Sequence, residues 1–200
     1  MTIAQVASPS YAREAVISKD DLRWQKLREI VEQKSLMRGD FILSSGRRSN
    51  FLFQLRQTTM FPEGQCLIGS IICEFMQKEK LSCVGGLELG AVPVVCAASF
   101  ASYTLGHPVD AFFVRKQAKA HGARELIDGS LPDGAEILMV DDVTTSGGSI
   151  ITAISNAKKE KSCSVTWALS IVDREQGAAE TLGREGIRLA SIFTKRDFGL

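Results

Sequence analysis

C-x-x-C spacing is missing from this chain: its five cysteines, Cys66, Cys73, Cys83, Cys96 and Cys163, are odd in number and scattered. That absence argues against a zinc site and against a disulfide framework, and leaves reduced, mostly buried thiols as the expectation. An excess of charge of one sign is missing too. With 24 Lys and Arg against 23 Asp and Glu, the formal charge is +1, so neither nucleic acid nor a membrane surface is the expected partner. The most apolar region, Val84 to Leu105, is broken by Glu88, Pro93 and several Gly and Ser, which is no membrane span. The first twenty residues, MTIAQVASPSYAREAVISKD, have neither the basic start nor the apolar centre of a secretory signal, and a cytoplasmic protein is expected. Nor is there a G-x-x-x-x-G-K-[ST] or a G-x-G-x-x-G after a strand, so nucleoside triphosphatase and dinucleotide-binding readings lose their main support.

What is present describes an ordinary globular domain, 44% hydrophobic and 24% charged, long enough for one buried core. Residues 1–17 read as a poorly ordered tail or an arm that docks on something else. Ser18 with Asp21 offers a capping box, Leu22, Leu27, Ile30 and Val31 a helical stripe, and Gly39 an end to that segment. Phe41–Leu43 and Phe51–Leu55 suggest short strands around SSGRRSN. Pro62 and Glu63 open a strong helix through Met76. Beyond it strands are expected at 82–86, 111–114, 136–140, 165–172 and 187–193. Helices are expected at 93–105, 149–160 and 178–184, and a charged loop at 115–122. That alternation predicts an α/β fold: an open, mainly parallel twisted sheet flanked by helices.

Within it, ILMVDDVTTSGGSI runs four apolar residues into Asp141 and Asp142, then into a loop of small residues before a helix. Ligands of open α/β sheets sit at such strand ends. Thr144, Thr145, Ser146, Gly147, Gly148 and Ser149 offer hydroxyls and unhindered N–H groups at a helix start, which suits phosphate. The carboxylates repel that anion and suit hydroxyls or hydrated Mg²⁺. Phosphate at one end and a diol in the middle describe a ribose 5-phosphate. The plainer alternative is a pair of solvated acids capping a loop.

VDDVTTSGGS resembles the phosphoribosyl-pyrophosphate motif of type I phosphoribosyltransferases. VRKQAKAHG, Val114 to Gly122, is similar to the mobile catalytic loop of orotate phosphoribosyltransferases. VDREQGA, Val172 to Ala178, is similar to the segment whose arginine meets the orotate carboxylate there. The likeness runs from about Gly39 to Thr194. It implies the type I phosphoribosyltransferase fold, with an N-terminal arm at 1–17, a small hood at about 18–60 and a core at about 61–200. It implies Mg²⁺-dependent transfer of phosphoribosyl from phosphoribosyl pyrophosphate to orotate, giving orotidine 5′-monophosphate in pyrimidine synthesis. Phosphoribosyl pyrophosphate would be bound by Arg115, Lys116, Lys119, His121, Asp141, Asp142, Val143 and the loop from Thr144 to Ser149. Lys119, His121, Asp141 and Asp142 would be catalytic, and Thr145 and Arg174 would bind orotate. Mg²⁺ would be held by phosphoribosyl pyrophosphate and water rather than directly by protein. The likeness also implies a homodimer whose loops cross into the partner's site.

Other readings stay open. RKQAKAHG can be a solvated basic loop, Arg174 can pair with Asp173 or Glu175, and GGLELGAVP can be tight strand-to-helix packing rather than a pyrophosphate-side loop. Ser44 stands where many family members carry lysine, and Phe51-Leu52-Phe53-Gln54 departs from the usual base-pocket residues. A phosphoribosyltransferase for another base, or a non-catalytic phosphoribosyl-pyrophosphate-binding regulator, are the alternatives.

Overall fold

The computed structural model describes residues 11, 13–42, 46, 48–117 and 125–200. In chain order the elements are β1 (Glu14–Ala15), α1 (Leu22–Lys34), β2 (Leu36–Ile42), β3 (Arg48–Phe53), α2 (Arg56–Thr59), α3 (Pro62–Glu79), β4 (Cys83–Leu87) and α4 (Ala91–Thr104). They continue with β5 (Asp110–Val114), β6 (Ile127–Gly129), β7 (Ala135–Thr144), α5 (Gly148–Glu160), β8 (Cys163–Asp173), α6 (Ala178–Arg184), β9 (Arg188–Thr194) and a closing 3-10 turn, Lys195–Phe198.

Seven strands form one sheet in the order β1-β9-β8-β7-β4-β5-β6. All neighbours are parallel except β6, antiparallel to β5. The layering follows from the two-residue period of a strand covered on both faces. Ile137 and Met139 of β7 join an apolar layer with Ile150 and Ala153 of α5 and Leu182 of α6. Leu138 and Val140 turn the other way, toward Leu27 of α1, Ile68 and Ile72 of α3 and Val94 of α4. β7 lies beside β4 although the chain visits β5 and β6 between them. Connections leave these two strands in opposite directions, which opens a crevice at their carboxyl ends.

β2 and β3 form a separate antiparallel hairpin. The closing turn fastens it to the sheet. Phe198, buried, meets Phe53 of β3 at 5.3 Å and Phe193 of β9 at 5.5 Å between ring centroids. Arg38 of β2 donates to the Phe198 carbonyl at 2.9 Å, and Arg28 of α1 donates to the Asp197 carbonyl at 2.7 Å.

Several expectations need correction. Asp21, not Ser18, caps α1: its Oδ1 accepts from the Arg23 N–H at 2.8 Å, whereas the Ser18 hydroxyl serves Asp20. Gly39 ends no helix. It lies within β2 at φ +150, where the register slips between Arg38 and Phe41 as at a bulge. The hairpin strands are accordingly longer than expected; Leu43 lies outside the described residues. The end of the arm docks on this chain's own sheet: Glu14 and Ala15 pair with β9, Arg13 donates to Ser191 Oγ at 2.9 Å, and Glu14 pairs with Arg188. Neither α2 nor β6 was expected. Among the described residues, no helix is long and apolar enough to cross a membrane.

Candidate active site

Where β4 and β7 part, a cleft of about 880 Å³ opens. Leu52 to Gln57 form one wall and Leu87 to Gly90, after β4, another. Asp141, Asp142 and Val143 of β7, Ser149 of α5 and Lys116 after β5 complete it.

The expected loop from Asp141 is shorter than the sequence suggests. β8 runs alongside and keeps β7 in register through Thr144, with Asp141 opposite Ser170, Val143 opposite Val172 and Thr144 opposite Asp173. The paired acids therefore lie within the strand, two residues short of its end, held by a ladder rather than by a loop. Asp141 Oδ1 accepts from the Asp142 N–H at 3.0 Å, and Asp142 Oδ1 accepts from the Val143 N–H at 2.9 Å. Burial, and then the adjacent Asp142 charge, push the Asp141 carboxyl well above the usual carboxylate range. Asp142 lies tight against the loop after β4. A Cβ added to Gly90 would sit 2.5 Å from Asp142 Oδ1, so any larger residue there would displace the Asp142 carboxylate. In that loop the Glu88–Leu89 peptide is cis, and Glu88 Oε1 accepts the Lys116 N–H at 2.8 Å.

Thr145, Ser146 and Gly147 make the turn into α5. Gly147 has φ +83, a conformation that would strain a side chain. The first helical bond runs from the Ile151 N–H to the Gly147 carbonyl at 3.0 Å. The N–H groups of Gly148, Ser149 and Ile150 thus have no carbonyl of their own helix to meet. At the end of β7 the Thr144 hydroxyl is buried with no hydrogen-bond partner among the described residues. An anion-accepting helix start therefore adjoins a pair of carboxylates.

Arg174 does not line this cleft. It leaves the end of β8, its N–H donating to the Thr144 carbonyl at 2.9 Å, and runs beneath the hairpin. Its Nη2 donates to Ser49 Oγ at 3.2 Å and the guanidinium lies 4.5 Å from the Phe51 ring. The turn around it is braced. Glu175, at φ +53, donates its N–H to Asp173 Oδ1 at 2.8 Å and sets its carboxylate 3.1 Å from Arg196.

The basic segment divides. Lys116 lines the cleft, whereas Arg115 pairs with Asp128 of β6. Lys119, His121 and Ser44 lie outside the described residues. Arg56 and Gln57 line the cleft without having been anticipated. The only signal for them was an arginine directly after the alternating FLFQL, in a helix too short to show a 3.6-residue period.

No family model matches the chain. An orotate phosphoribosyltransferase of Bradyrhizobium sp. (strain BTAi1) is 41% identical over 177 residues, covering 86% of this chain and 95% of that one. Two crystal structures of Mycobacterium tuberculosis H37Rv orotate phosphoribosyltransferase share the architecture. The complex with Fe(III) dicitrate has a TM-score of 0.79 at 39% identity, covering 89% of this chain and 99% of that one. The complex with 5-phospho-α-D-ribosyl 1-diphosphate has a TM-score of 0.75 at 36% identity, with coverage of 89% and 99%. Likeness of this extent, in both sequence and fold, places the mainly parallel sheet and its hairpin among the type I phosphoribosyltransferase folds, and the chain belongs to the orotate phosphoribosyltransferase family.

Proposed function

We propose that the protein transfers the 5-phosphoribosyl group from phosphoribosyl pyrophosphate to orotate, giving orotidine 5′-monophosphate and pyrophosphate for pyrimidine synthesis. One observation carries the reading: the glycine-bounded start of α5 adjoins Asp141 and Asp142 on the cleft floor. The 5-phosphate takes the N–H groups and hydroxyls from Thr144 to Ser149. Asp141, Asp142 and Val143 face the ribose, the carboxylates accepting its hydroxyls. The orotate carboxylate goes to Arg174, whose planar guanidinium can give two parallel hydrogen bonds, and Thr145 adjoins the base.

In the reaction the orotate ring nitrogen bonds to ribose C1 as the bond from C1 to pyrophosphate breaks, and the ring N–H proton is lost. Positive charge grows on the ribose, as in glycoside cleavage, and Asp141 and Asp142 lend it negative potential. Negative charge grows on the leaving pyrophosphate, and Arg115, Lys116, Lys119 and His121 offset it. Mg²⁺ supplies further neutralisation there when bound. The carboxylate oxygens of Asp141 and Asp142 are hard donors that suit it through water. In this reading the ion is held mainly by phosphoribosyl pyrophosphate and water.

The active form in this proposal is a homodimer in which Arg115, Lys119 and His121 of one subunit reach the partner's cleft, while Lys116 serves its own. Its support is the cleft's own balance: Arg56 and Lys116 face Glu88, Asp141 and Asp142, a poor match for a polyanion from one subunit alone. All five cysteines are free thiols, in keeping with a cytoplasmic setting. The division into arm (1–17), hood (about 18–60) and core belongs to the same proposal, supported by the separate hairpin sheet.

The test is incubation with phosphoribosyl pyrophosphate, Mg²⁺ and a panel of bases while pyrophosphate release is followed. Orotate should support release, and release only with another base would overturn the assignment.

A further inference from the structure

Among the described residues, the arginines expected to meet substrate are already engaged. Arg115 pairs with Asp128, and Arg174 donates to Ser49 beneath the hairpin. Arg56 differs. It is exposed, it lines the cleft, and it makes no ion pair among the described residues although Glu88, Asp141 and Asp142 line the same space.

Its backbone, by contrast, is firmly set. Leu55 is buried beside it, and Thr58 Oγ1 shares a 2.7 Å hydrogen bond with Ser35 Oγ. A Cβ on Gly64 would fall 2.2 Å from the Thr58 carbonyl, so α3 presses directly on α2. α2 also packs against α4, the helix that follows the Glu88–Gly90 loop. A cation on a fixed turn, at the mouth of a cleft and beside that loop, is placed for an anion that comes from solution.

The substrate proposed above carries three phosphates, and the start of α5 accounts for one. The pyrophosphate needs cations on the opposite side of the carboxylates. Lys116 gives a point charge, whereas a guanidinium can grip phosphate oxygens through a planar fork. We infer that Arg56 is a pyrophosphate-binding residue, holding the diphosphate of the donor substrate within its own subunit. This rests on the transfer reaction proposed above, and it adds a cation that the basic segment after β5 does not include.

The experiment has two arms on the full-length protein. Calorimetry with pyrophosphate and Mg²⁺ compares wild type with Arg56→Ala and Arg56→Lys. Steady-state kinetics then separates the KM for phosphoribosyl pyrophosphate from the KM for orotate. Arg56→Ala should weaken pyrophosphate binding and raise the phosphoribosyl pyrophosphate KM by about tenfold or more. The orotate KM and the melting temperature should stay near wild type, and lysine should restore part of the loss. A merely structural arginine would instead move the melting temperature and both KM values together. Unchanged pyrophosphate affinity in Arg56→Ala, or no binding by wild type, overturns the inference. If wild type binds pyrophosphate through Arg56 and makes no nucleotide from orotate, the transfer reading fails and the pyrophosphate assignment stands.

Discussion

Arg174 and Phe51 meet across two different sheets, the guanidinium carbon 4.5 Å from the ring centroid. The strand end of β8 supplies one and the hairpin strand β3 the other. At that distance the ring quadrupole attracts the cation. Nη2 also donates to Ser49 Oγ at 3.2 Å, so ring and hydroxyl together tie the Arg174 side chain to the hairpin.

Replacing Arg174 by alanine should therefore act on one substrate. The orotate KM is expected to rise roughly thirtyfold, the loss of a charge-assisted bidentate contact of on the order of 2 kcal/mol. The KM for phosphoribosyl pyrophosphate should change far less. Equal effects on both substrates would assign Arg174 to holding the hairpin alone.

Asp141 ties activity to a cost in stability. Its carboxyl is pushed upward by burial and by Asp142, so the folded protein holds that proton more tightly than the unfolded chain does. Stability then falls as pH rises from the ordinary carboxylate range through the raised Asp141 value. In metal-free buffer, Asp141→Asn should raise the neutral-pH melting temperature by roughly 2–4 °C for each kcal/mol relieved. That gain should vanish in acid, below the ordinary carboxylate range. Turnover should be lost in the same variant. A lower melting temperature at neutral pH would show that the charge is stabilised by contacts rather than strained by burial.

A shared site can be tested by complementation. Lys119→Ala and the double variant Asp141→Asn/Asp142→Asn should each be nearly inactive alone. After subunit exchange, confirmed by mass, each mixed dimer would hold one intact composite site and recover about half of wild-type activity. No recovery in confirmed mixed dimers would restrict the loop to its own subunit.

Phe198 is the stability anchor of the hairpin. Its ring fills the space between Phe53 and Phe193 and is 2% exposed. Phe198→Ala should destabilise the protein by about 3–5 kcal/mol, read by urea denaturation. A loss below about 1 kcal/mol would mean that Arg28 and Arg38 hold the closing turn without it.

Local signals in the sequence were enough for elements whose own residues dictate their shape. Pro62 at the first helical position and the apolar stripe through Met76 mark α3, and its start is where the sequence puts it. The apolar run from Ile137 marks the buried β7. Its far end was illegible because Asp141 to Thr144 are held as strand by pairing with β8, about thirty residues later in the chain. β6 is not legible in the sequence since three residues, Ile127–Gly129, carry no period, and it forms against β5. The carboxylates and the glycine turn were legible because chemistry and backbone need coincide there. Arg56 was not, because its importance lies in which loop it faces, and only the packing of α2 against α4 decides that.

The pairing of Glu14 and Ala15 with β9 has a consequence for the protein in a crowded solution. β9, RLASIFT, is rich in residues that favour extended structure, and its neighbour on the far side is a strand of only two residues. The Val16 N–H also takes the Ser191 carbonyl, at 3.2 Å. An edge strand with free N–H and C=O groups is a template onto which another chain can add. The arm occupies that template from within. A chain shortened to begin at residue 18 would keep its core layers and its cleft, yet expose an adhesive β9 margin. Its failure would come through self-association that grows with concentration, before any loss of fold.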